Sequence, residues 1–221
     1  MKHYYCAVGM DYNGEELRPL FNYQTFGSKG DQGDSISAFI GKMNVTTEHL
    51  VDMEDVIAND FIWSPEAINF VVEIFHIGIE SAVLYQRSLM FIIFSYLLNK
   101  MYLKNLNANI ENIKLNGDDL MVKVCGEYKK LSVSIATVSP MSGLIHAGLN
   151  IKIDDHIPVP AIGLDSIFSP PEVGPPEVYT PAGATEFNLN ETSALIKHVL
   201  NTFSDYVKSI KNATTKVRSV I

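Results

Sequence analysis

Asn116-Gly117-Asp118-Asp119-Leu120-Met121-Val122, then Lys129-Lys130-Leu131-Ser132-Val133-Ser134-Ile135, then Ile145-His146-Ala147-Gly148-Leu149-Asn150: these three segments decide the fold. Each alternates apolar and polar residues, the period of a strand with one buried face. Strands are expected at Ile113 to Lys114, Leu120 to Val124, Leu131 to Ser139 and Ile145 to Ile153. Asn116-Gly117 and Gly126-Glu127 supply tight hairpin turns between them. The result is an antiparallel meander carrying carboxylates, a Lys, a His and an Asn at its strand ends.

Upstream, Ser64-Pro65-Glu66 reads as a helix start: a capping Ser, a Pro suited to the first helical position and an acid that complements the dipole. Ile68, Val71, Val72 and Phe75 then share a helical face, and Gly78 closes the helix. Glu80 to Met101 predicts a longer helix, apolar nearly all round in its second half and therefore central. Nearer the start come an apolar segment from Tyr4 to Met10, a turn at Asp11-Tyr12-Asn13-Gly14 and the stretch Leu17 to Phe26. The glycine-rich loop Gly27 to Asp34 leads into a strand from Ser35 to Lys42, and a second extended segment ends at His49-Leu50-Val51-Asp52.

Downstream, Val159 to Leu164 suits a short strand, and 169–187 is a Pro-rich surface insertion carrying Pro170, Pro171, Pro175, Pro176 and Pro181. Asn190-Glu191-Thr192 opens a last helix, to about residue 211, striped by Ile196, Val199, Phe203, Tyr206, Val207 and Ile210. The class that follows is α+β: one domain over 1–221, with a mixed, mainly antiparallel sheet backed by helices.

Of the 221 residues 47% are apolar and 19% charged, which supports a sizeable core and opposes wholesale disorder. A net charge of −8 without a Lys/Arg cluster opposes nonspecific nucleic-acid binding, which needs phosphate neutralisation. Cys6 and Cys125 form no metal or disulfide pattern, so a reducing, cytoplasmic setting is expected, with Cys125 packed in its strand. Met1 to Tyr5 lacks a signal-like apolar run. The apolar run Leu89 to Leu98 falls short of the ~20 residues that span a bilayer, so no membrane partner is expected. A homodimer through a sheet edge is compatible with this pattern.

Asp119 and Lys130 fall opposite each other in a hairpin turning at Gly126. Two readings are open: an ordinary cross-strand ion pair, or a compact cation that meets a ligand anion and is oriented by the acid. The loop Gly27-Ser28-Lys29-Gly30-Asp31-Gln32-Gly33-Asp34 lets backbone approach a ligand, with Lys29 its one cation, but it is neither a Walker loop nor a dinucleotide fingerprint. It also reads as a plain link between two strands. Asp31, Asp34 and Asp52 could share a divalent metal if they converge. Arg87 either reaches a ligand anion or pairs with a helix carboxylate such as Glu80.

The segments Gly117-Asp118-Asp119-Leu120, Lys130-Leu131-Ser132-Val133 and Ala147-Gly148-Leu149-Asn150 resemble, in order, the Pro-Asn-Asp-Leu, Lys-Leu-Gly-Gly-Ile and Gly-x-Gly-x-Asn strands of the biotin/lipoate protein ligase superfamily. The resemblance matches Asp119, Lys130 and Asn150 to that superfamily's site, and His146 to a His that lipoyl-type members place beside the last strand. Thr25-Phe26-Gly27, Lys29-Gly30-Asp31, Val51-Asp52-Met53-Glu54-Asp55 and the run from Lys130 to Pro140 further resemble a microbial family of uncharacterised proteins, grouped by fold with class II synthetase-like ligases.

By that resemblance, Lys130 and Asp119 are catalytic. Gly27, Lys29, Gly30, Asp31, Gly33, His146, Gly148 and Asn150 bind a small carboxylate or nucleotide-like ligand, with ATP and Mg²⁺ as cofactors and acyl transfer to an amine. The superfamily grips the adenylate phosphate with an Arg-rich loop where this chain has Lys29 beside Asp31 and Asp34. That departure keeps two alternatives open: a binding module without adenylation, and a divalent-metal-dependent transferase.

Overall fold

The run Ala67 to Ile74 is buried at every position, because it forms the middle of a sheet covered on both faces. The structure, a computed structural model, describes residues 1–6, 9–103, 110–168 and 184–218; the Pro-rich stretch expected at 169–187 lies largely outside them. A five-stranded sheet has the order β1-β2-β3-β8-β7, with β1 Lys2–Cys6, β2 Ser35–Val45, β3 Ile62–Phe75, β7 Ser132–Val138 and β8 Ser142–Lys152. Only β1 runs parallel to its neighbour; β2 with β3, β3 with β8 and β8 with β7 are antiparallel. A second sheet joins β4 Ile110–Asn116, β5 Asp119–Val124 and β6 Glu127–Lys130.

The helix expected from Ser64 is therefore the strand β3. A strand buried on both faces reads as a continuous apolar run, and such a run always places some residues at helical spacing. In β3 alternate residues diverge: Ile68, Phe70, Val72 and Ile74 join the core beneath the helices, while Ala67 and Val71 join a smaller core on the opposite face. Gly78 stands between β3 and the helix that follows.

That helix, α3 (Ile79–Leu103), runs as the sequence implies. Ile79–Met101 is long and apolar enough to span a bilayer by length and composition, beyond the ten-residue run counted from sequence. Here it lies on the sheet, with Leu89, Met90, Ile93 and Leu97 in the main core. α5 (Ala184–Thr214) packs beside it through Leu195, Ile196, Val199 and Phe203, and α4 is Leu164–Phe168.

The meander divides at Leu131. Its N–H donates to the Leu120 carbonyl in one sheet at 2.8 Å, and its carbonyl accepts from the Asn150 N–H in the other at 3.0 Å. Ser132 Oγ accepts the Leu120 N–H at 2.8 Å. One alternating run thus serves two sheets, and Lys130 lands at their junction. The β5–β6 turn has φ of 50° at Cys125 and 86° at Gly126, the left-handed pair of a tight hairpin. Cys125 is consequently exposed in a turn rather than packed in a strand.

After β2 the chain does not stay extended. It forms a 3-10 turn at Thr47–His49 and a helix α2, Met53–Ala58, capped by Asp52, whose Oδ1 accepts the Glu54 N–H at 2.8 Å. The Gly27–Asp34 loop links a short helix, α1 (Phe21–Phe26), to β2 rather than linking two strands. Of the strand expected at Val159 to Leu164 there remains one bridge, Ala161 with Lys130.

Candidate functional site

The sheet face away from the helices is built by residues of one parity. His146, Gly148 and Asn150 alternate along β8 on the face opposite Ile145, Ala147, Leu149 and Ile151, which lie in the main core. A cavity of about 400 Å³ opens over this face. His146, Asn150, Tyr12, Met43, Val133 and Lys130 line it, together with His49 to Asp52, Asp55 and Asp60 to Trp63 from the segment between β2 and β3 and the start of β3.

His146 forms part of its floor. The ring is 2% exposed and lies flat under Tyr12, with centroids 3.6 Å apart and planes 4° from parallel. Its Nε2 is 3.0 Å from Asn69 Oδ1, so Nε2 carries the proton and donates, leaving Nδ1 as an acceptor. Burial alone pushes its pKa down to about 3, which keeps the imidazole neutral.

Tyr12 holds its place through backbone pairing: its N–H donates to the Lys42 carbonyl and its carbonyl accepts from Asn44. Gly41 permits that approach, since a Cβ there would stand 2.0 Å from the Met10 carbonyl oxygen. Gly148 leaves room in the same face; a Cβ would meet Met43 Sδ at 2.7 Å and Val133 Cγ2 at 3.2 Å.

At the junction of the sheets Lys130 Nζ lies 3.0 Å from Asp119 Oδ1. Met121 is the residue opposite Lys130, and Asp119 stands two positions along the same face of β5. The pair is not sealed, because both side chains line the cavity and remain 31% and 27% exposed. Burial raises the Asp119 pKa, with Lys130 pulling the other way.

Beside it, Asp118 is held by Arg87 at 2.9 Å, by Gln86 Nε2 at 2.8 Å and by Ser134 Oγ at 3.1 Å. Arg87 thus meets a turn carboxylate rather than Glu80. Asp52, Asp55 and Asp60 complete the acidic wall. Burial, then Asp52 and Asp60, raise the Asp55 pKa, against a pull from Lys130.

The structure brings Lys130, Asp119, His146, Gly148 and Asn150 to one face. Gly27, Lys29, Gly30, Asp31, Gly33 and Asp34 are not there. They precede Ser35 at one end of β2, whereas the cleft surrounds Met43 and Val45 near the other, roughly 30 Å along the strand. The loop's residues have local work instead. A Cβ on Gly27 would stand 2.6 Å from the Tyr23 carbonyl oxygen. Asp31 accepts the Ser28 N–H and pairs with Lys2 at 3.0 Å, which together lower its pKa. Asp34 pairs with Lys211 and accepts the Phe75 N–H.

A metal shared by Asp31, Asp34 and Asp52 is therefore ruled out by geometry. Among the described residues no group of three His, Cys, Asp or Glu is placed to hold a metal ion. Sequence reading missed Tyr12, taken for a turn, and Asn69, taken for part of a helix. One signal was available for Asn69, a lone amide inside the apolar run Ala67 to Ile74.

Fold and site together define a mixed α+β protein with a mainly antiparallel sheet, helices on one face and a cleft of about 400 Å³ lined by polar and apolar side chains on the other. The family described as Domain of unknown function (DUF366) matches residues 1–218, and the chain belongs to it. An uncharacterized protein of Methanocaldococcus jannaschii is 39% identical over 163 residues, which cover 72% of this chain and 66% of that one; the chain thus matches just under two thirds of its curated relative's length. A solved protein of unknown function from Pyrococcus horikoshi aligns over 100% of both chains with a TM-score of 0.74 and 29% identity. The biotin protein ligase from Aquifex aeolicus in complex with biotin and ATP aligns over 93% of this chain and 76% of its own, with a TM-score of 0.42 and 11% identity. A likeness that distant defines neither substrate nor reaction.

Proposed function

We propose that the protein binds a small carboxylate in the cleft over the sheet, with Lys130 as its electrostatic anchor, and does so without adenylating it. One observation carries this reading: among the described residues lining the cleft, Lys130 is the one Lys or Arg. A carboxylate replacing or sharing Asp119 there gains charge-assisted hydrogen bonds. The apolar side chains of Leu50, Val51, Phe61, Ile62, Val133 and Ile135 supply walls for a carbon chain.

Two features argue against adenylation: the glycine loop lies at the far end of the sheet, and five aspartates line the cleft against one lysine. Together they leave a polyphosphate poorly held. Calorimetric titration with octanoate, lipoate and biotin, with and without MgATP, tests the reading. Binding that is independent of MgATP and absent from Lys130→Met supports it; no binding of any carboxylate refutes it.

A second reading, ATP-dependent activation of the carboxylate and acyl transfer to an amine, is favoured by a specific observation. Asp119, Lys130 and Asn150, the residues matched to the ligase motifs, share this one cleft. Pyrophosphate exchange dependent on a carboxylate decides for that reading and against the first.

A further inference from the structure

On the reading that this cleft holds a small ligand, we infer that the ligand carries an amine as well as an acid. Its carboxylate meets Lys130, and its ammonium group meets Asp55 and Asp60, which line the same cavity. Charge is the first argument. Asp119 is tied to Lys130 and Asp118 to Arg87, whereas Asp52, Asp55 and Asp60 form no ion pair with any described residue. Asp52 caps α2, so Asp55 and Asp60 are the carboxylates left for a guest. A ligand with an acid alone adds a negative charge to a wall that already has an excess; an amine neutralises it.

Hydrogen-bonding capacity is the second, independent argument. Asn150 is 7% exposed and lines the cavity. Its Nδ2 donates to the Ile162 carbonyl at 3.5 Å, and its Oδ1 accepts no hydrogen bond from any described residue. Tyr12, 3% exposed and also lining the cavity, has no hydroxyl partner among the described residues. A buried polar side chain left open in a cavity marks where a ligand completes the bonding. Asn150 Oδ1 can only accept, and the Tyr12 hydroxyl accepts as well as donates, so a donor on the ligand completes the bonding of both.

Size is the third argument. No three acidic or His side chains among the described residues converge on a point, and about 400 Å³ far exceeds an ion. The donor is therefore an organic ammonium on an apolar body rather than a bare metal.

Titrations of octanoate and 8-aminooctanoate into the wild-type chain and an Asp55→Asn, Asp60→Asn double variant test this. α2, which carries Asp55, buries no residue, and Asp60 beyond it is exposed, so the variant keeps the fold. The amino acid is expected to bind about tenfold tighter than octanoate, and the variant to erase that difference while still binding octanoate. Equal affinities in the wild type overturn the amine while leaving the Lys130 cleft standing. Failure of both probes overturns the cleft itself. A thermal shift with Mg²⁺ alone that is lost in the variant overturns the inference in favour of a metal.

Discussion

His146 gives the clearest quantitative prediction, because its environment fixes both its charge and its effect on folding. The ring is fully enclosed between Tyr12 and the sheet, with Nε2 against Asn69, and its pKa falls to about 3 from an ordinary value of 6.5. The unfolded chain therefore takes up a proton below pH 6.5 that the folded chain refuses until about pH 3. Stability contributed by the neutral ring is complete above the unfolded value and is lost as pH falls through that window. At about 1.4 kcal/mol per pH unit, lowering pH from 7 to 5 removes about 2 kcal/mol. For a chain of this size that corresponds to a Tm drop of roughly 4 to 8 °C from this residue. The assay is urea denaturation of the wild type and His146→Gln at both pH values. Glutamine cannot charge, so its slope between pH 7 and 5 should be shallower by that amount, even though its stability at pH 7 is lower. Identical slopes would refute the assignment of a buried neutral imidazole.

Three further outcomes follow from neighbouring residues. Lys130→Met should abolish carboxylate binding while lowering stability by only about 1 kcal/mol, since the pair it breaks is partly solvated; calorimetry and thermal melting together separate the two effects. Gly148→Ala drives a Cβ to 2.7 Å from Met43 Sδ in a packed wall and should cost about 1 to 3 kcal/mol, read as a lowered Tm, while narrowing the cleft. Asp55→Asn should raise Tm at pH 7 by less than the equivalent of about 1 kcal/mol. Burial, then Asp52 and Asp60, lift the folded carboxyl's pKa above its unfolded value, so the wild type loses stability as pH rises through that window. The variant's advantage should disappear when melts are repeated towards pH 4.

Much of this was legible from alternation and turn chemistry, which are local. The β5–β6 hairpin, the long strand β8, and the helices α3 and α5 lie where their periodicity puts them. Asp119 and Lys130 meet because one short turn sets their register. Reading failed where burial on both faces erased periodicity, as in β3, and where a capping signal had no helix to serve, as at Ser64. It failed again at Leu131, where a single uninterrupted run changes sheets, because nothing local marks which partner each half will find. The return of the segment between β2 and β3 to line the cleft, and the stacking of Tyr12 on His146, are long-range facts that one-dimensional pattern does not contain. At Gly27 to Gly33 glycine content alone did not tell position: these residues form a tight helix exit and a loop at the end of β2 away from the cleft.

An anomalous difference map from crystals soaked in 8-bromooctanoate tests the central claim most directly. A bromine peak among the apolar residues of the cleft, with the carboxylate within hydrogen-bond reach of Lys130 Nζ and the Asp119 contact shared or displaced, is the predicted result. An intact Lys130–Asp119 pair beside an empty cleft, with bromine elsewhere or nowhere, would contradict it.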